Sequence, residues 1–67
     1  MELKYIQKIA EKLSLRVTQV TSIDTMQAEG ATIPFMARYR KEATGNLDEV
    51  VIGAVVEEVA YYNDLDK

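Results

Sequence analysis

A chain of 67 residues has room for one domain, small enough to bury only a modest share of its surface, although with 48% apolar residues a core is within reach. The absence of cysteine excludes a disulfide framework and a thiolate metal site, and the absence of histidine removes the usual zinc ligand and acid–base residue. The net charge of −3 divides unevenly: residues 1–41 hold seven basic and four acidic side chains, giving +3, and residues 42–67 hold seven acidic and one basic, giving −6.

The first helix is predicted over about Leu3 to Leu13, where Leu3, Ile6, Ala10 and Leu13 draw one apolar stripe with Ile9 beside it. Lys4, Lys8, Lys12 and Arg16 repeat every four residues and stack like charges into a basic ridge, which Glu11 and a neighbouring acidic helix must offset. The N-terminal stretch mixes charges through its apolar positions, so neither a signal peptide nor a membrane span is expected, and the chain reads as intracellular. The second helix, about Val17 to Glu29, carries Val20, Ile23, Met26 and Ala28 as its apolar positions. Its Thr18, Thr21, Ser22 and Thr25 lower helix propensity, so it depends on tertiary contacts.

Gly30 then suits a left-handed helix end, and Pro34 the first turn of a third helix running to about Lys41. Barely two turns long, this helix cannot stand alone, and Phe35 and Tyr39, four residues apart, are expected to be buried as its anchors. Thr44, Gly45 and Asn46 break it. The last helix is predicted from about Asn46 to Leu65, roughly 30 Å, with Asn46 and Glu49 spaced as a capping box. Its stripe is Leu47, Val51, Val55, Val59 and Tyr62. Val50, Ile52, Val56 and Tyr61 spread apolar character round the cylinder, which predicts continuation into a larger protein, self-association as a homo-oligomer, or both.

Little here performs chemistry. The acidic pairs Asp48–Glu49 and Glu57–Glu58 have no partner base, Ser14 and Ser22 have no activating group, and Gly30, Gly45 and Gly53 are too scattered for a phosphate loop. No catalytic residue, metal ligand or cofactor is expected, and the chain is not expected to be an enzyme. Arg38, Arg40 and Lys41 are the candidate contact residues, toward nucleic acid or a neighbouring domain. The plainer reading pairs one or both arginines with carboxylates such as Glu42, Asp48 or residues of a neighbouring domain. The alternative is an autonomous helix-turn-helix-like nucleic-acid-binding module that uses all three.

The segment Glu29–Glu49 carries a further signal in Glu29, Gly30, Ala31, Thr32, Ile33, Pro34, Phe35, Ala37, Arg38, Tyr39, Arg40, Lys41, Glu42, Thr44, Gly45, Leu47, Asp48 and Glu49. In these residues the chain closely resembles the N-terminal motif of the bacterial transcription accessory protein Tex family. Ile6, Ala10, Leu13, Gln19 and Val20 follow the family's helical pattern more loosely, whereas Asp24 and Gln27 stand where that pattern leads one to expect apolar residues. The resemblance implies a large cytoplasmic protein in which an N-terminal helical region precedes a ribonuclease H-like domain, helix-hairpin-helix elements and an oligonucleotide-binding fold. RNA or DNA would then be bound mainly by those C-terminal domains. Residues 1–67 would be a noncatalytic helical scaffold whose partners are the other domains of the parent and the transcription machinery, with no membrane. The fold expected is all-α: a small bundle of four helices with a helix-turn-helix-like middle and a long C-terminal helix that continues past residue 67.

Overall fold

The computed structural model describes residues 2–65, which fold into an all-α globule with no strand among them. Five helices follow in order: α1 Leu3–Leu13, α2 Val17–Ala28, α3 Ile33–Tyr39, α4 Lys41–Thr44 and α5 Glu49–Leu65. Continuation of the last helix past residue 67 lies outside the described residues.

Helix α1 forms from its amphipathic period, but the buried stripe is Ile6, Ile9 and Ala10, with Leu13 half-buried; Leu3, expected in the stripe, is exposed. Ser14 ends α1 in the left-handed region, φ 58°, with its N–H donating to Glu11 O at 3.3 Å and Leu15 N–H donating to Ala10 O at 2.8 Å. This is a Schellman closure on a non-glycine residue. Helix α2, rich in threonine, is started by Gln19, whose Oε1 accepts from the Arg16 N–H at 2.9 Å. Its Val20, Ile23 and Met26 face inward. A second Schellman closure ends it: Gly30, φ 93°, donates to Gln27 O and Ala31 to Met26 O, both at 3.0 Å.

The middle of the chain holds five-helix rather than four-helix organisation, because Arg40 adopts φ −126°, ψ 42° and separates α3 from the single turn of α4. Thr44, expected as a breaker, is the last residue of α4 and fully buried, with its Oγ1 donating to Lys41 O at 3.4 Å. Gly45 and Asn46 both follow in the left-handed region, and the Asn46 N–H donates to Lys41 O at 2.9 Å. Asn46 therefore closes α4 instead of capping the next helix. That cap is Asp48, whose Oδ1 accepts from the Val51 N–H at 3.0 Å, so α5 starts three residues later than expected and spans about 25 Å.

Helix α2 packs on α1, α4 and α5, and α5 packs on α1, α2 and α3. Ile9, Val20, Ile23, Met36, Ile52 and Val55 are fully buried where these helices meet, each contributing about 1.5–3 kcal/mol. Two side-chain contacts tie the sequence-distant parts together. Tyr5 of α1 stacks on Tyr62 of α5, centroids 4.9 Å apart, and Lys12 Nζ donates to both carboxylate oxygens of Glu58 at 3.1 and 3.2 Å. The basic ridge of α1 thus meets the acidic last helix at Lys12 and Glu58. No described helix is long and apolar enough to cross a membrane.

Candidate functional site

Thr32 Oγ1 accepts from the Phe35 N–H at 3.3 Å and so fixes the start of α3, with Pro34 in its first turn. From that start Met36 points into the core, which leaves Phe35, Arg38 and Tyr39 on the outer face. The two aromatic residues are therefore not buried anchors: Phe35 is 39% exposed and Tyr39 60%, and their rings touch each other with centroids 5.3 Å apart. Helices α4 and α5 pack on α3 from its Met36 side and leave the opposite face open. Met36 is the fully buried anchor of α3, with Ile33 and Ala37 half-buried beside it.

Only Arg38 of the three candidate basic residues lies on α3; Arg40 is the residue between α3 and α4, and Lys41 opens α4. The Arg40 guanidinium sits 5.3 Å from the centre of the Phe35 ring, a cation–π contact that holds it in place. Among the described residues neither arginine forms an ion pair, nor does Lys41, so the expected pairing with Glu42 or Asp48 does not occur within the domain. Between the end of α2 and α3 runs a solvent-open groove of about 390 Å³, lined by Met26, Gly30, Ala31, Thr32 and Phe35 together with the charged Glu29 and Arg40.

A second exposed feature lies on α5. At the 100° spacing of a helix, Val50, Ala54, Tyr61 and Leu65 share a sector of about 60°, on the far side from Ile52, Val55 and Val59. Val50 is 80% exposed, and Tyr61 and Leu65 are more than half exposed. Among the described residues no group of three acidic side chains is placed to hold a metal ion.

The residues that build both features belong to a stretch with known relatives, and residues 3–67 match the Tex-like protein N-terminal domain. The chain belongs to the Tex family. The Bacillus subtilis protein YdcI is 41% identical over 61 residues, 91% of this chain and 8% of that protein. The transcriptional accessory protein Tex of Neisseria gonorrhoeae is 37% identical over 59 residues, and protein tex of Bordetella pertussis is 38% identical over 61. These cover 88% and 91% of this chain, and again 8% of each relative. The Tex-like domain thus spans under a tenth of the length of the curated relatives it matches. No solved structure matches it.

Sequence reasoning found the three cations but missed that Phe35 holds one of them. The signal was present in the five-residue spacing of Phe35 and Arg40, which brings the two together only if the helix breaks before Arg40. No glycine or proline marks that break.

Proposed function

We propose that this chain is a noncatalytic helical interaction segment of a cytoplasmic transcription accessory protein. It docks against other helices of a longer polypeptide and places that polypeptide against the transcription machinery, while RNA or DNA contact is left to other domains. The observation that carries this reading is the outward stripe of α5. Val50, Tyr61 and Leu65 leave exposed apolar side chains along one side of α5, with Ala54 half-buried on the same side, and apolar side chains spaced along one side in this way suit another helix. The small fraction of each relative's length that the chain spans agrees with a module built into something larger.

The test has two parts. The reading frame should continue beyond the Lys67 codon into further domains; a stop codon there overturns the proposal. In the longer product, Val50→Asp combined with Tyr61→Asp should open the region to limited proteolysis, while the same pair leaves the melting temperature of the 67-residue chain within a few degrees. Equal protease resistance of the longer product with and without the two changes overturns docking through α5.

A further inference from the structure

The groove between α2 and α3 is separate from the α5 stripe and carries a different chemical signature. Met26, Gly30, Ala31 and the Phe35 ring give it an apolar lining, and the Arg40 guanidinium that also lines it rests on that ring. At about 390 Å³ it falls within the ~300–1,000 Å³ of ligand sites, yet it is open to solvent, which suits side chains presented along a peptide better than an enclosed small molecule. Arg40 has no carboxylate partner among the described residues, and its contact with Phe35 restricts it before any partner arrives. Arg38 and Lys41 lie within two residues of it and raise the local positive potential.

The charges around the groove also limit what occupies it. Glu29 also lines the groove and Glu42 follows Lys41, so a continuous row of phosphates meets repulsion on either side of three cations. A single carboxylate needs only Arg40, and apolar neighbours on the same segment keep further negative charge away from Glu29. We propose that the groove between α2 and α3 binds an acidic, apolar peptide segment of a partner protein, with an aliphatic or aromatic side chain on Met26, Ala31 and Phe35 and a carboxylate forked onto Arg40. The assignment rests on the reading of the chain as an interaction segment. It adds a second surface and the chemistry of what that surface takes.

The experiment is a selection of random dodecapeptides displayed on phage against the 67-residue chain. Fluorescence anisotropy of the best labelled peptide then follows on wild type and on Arg40→Glu, Arg40→Gln, Phe35→Ala and Val50→Asp. The expected peptides place Asp or Glu within a few residues of Leu, Ile or Phe, and Arg40→Glu weakens them by about tenfold or more, the loss of one charge-assisted pair. Arg40→Gln, which leaves the exposed backbone and the core untouched, weakens them by a smaller factor. Val50→Asp changes nothing, so failure of the α5 docking surface and failure of the groove are told apart. No enrichment over bare support, or peptides that bind Arg40→Glu and Arg40→Gln as tightly as wild type, overturns the proposal. So does a labelled oligouridylate 12-mer that displaces the peptide with steep salt dependence, which assigns the groove to nucleic acid. A dimer mass in solution that Arg40→Glu converts to monomer assigns it to a second copy of the chain.

Discussion

Gly45 and Gly30 both sit at left-handed helix ends, φ 72° and 93°, but a side chain would meet different surroundings at the two. A Cβ on Gly30 has open space around it, whereas one on Gly45 runs into the Gln19 side-chain amide. That amide donates from Nε2 to Thr44 O at 2.9 Å while its Oε1 starts α2, so Gly45→Ala disturbs two helix ends at once. Urea melts should show Gly30→Ala losing about 1 kcal/mol, the cost of alanine in that conformation, and Gly45→Ala about 2–3 kcal/mol. Equal losses would mean that Gln19 swings away at little cost. At Gln27 the opposite sign is expected. Its Oε1 is buried without a hydrogen-bond partner, so Gln27→Met should raise stability by about 1 kcal/mol in the same assay.

At the scale of elements, α5 contains a glycine that its packing does not require. A Cβ on Gly53 would meet only the Ile33 Cδ1 atom at 3.9 Å, an ordinary contact, and Gly53→Ala should stabilise the domain by about 0.5–1 kcal/mol through helix propensity. A loss on thermal melting would show that Ile33 cannot give way. The bounds of α1 were legible in its amphipathic stripe, although a serine and not a glycine closes it, and the end of α2 was legible in Gly30. The start of α5 was not, since asparagine serves both as an N-cap and as a left-handed helix exit, and only the neighbouring Gly45 decides that Asn46 takes the second role. The short third helix was legible in its Pro34 start. Its exposed aromatic face was not, because periodicity shows that Phe35 and Tyr39 share a side but not which side the neighbours leave open. The candidate site was accordingly visible as a cluster of charge and invisible as a groove.

At the scale of the whole molecule, the uneven charge resolves into contact along one seam. Lys12 reaches from α1 to Glu58 of α5, and Glu58 is the better shielded partner, its side chain 21% exposed against 63% for Lys12. Lys12→Ala should cost no more than about 1 kcal/mol, an effect that shrinks at high salt; a larger, salt-insensitive loss in melts at low and high ionic strength would mean that the lysine stem matters more than its charge. The fully buried residues come from α1, α2, α3, α4 and α5 alike, so no helix holds a core of its own. Helix α2 is threonine-rich and weak in helix propensity, and with α5 it holds the central position, packed against α1, α4 and α5. It therefore cannot fray by itself, and none of the three neighbours can keep its place once α2 lets go. Amide protons of Val20, Ile23 and Met26 should accordingly exchange with solvent only when the entire chain opens, at the same rate as those of Ile9 and Val55. The threonine-rich helix that looks weakest in isolation is then what makes this small domain open all at once or not at all.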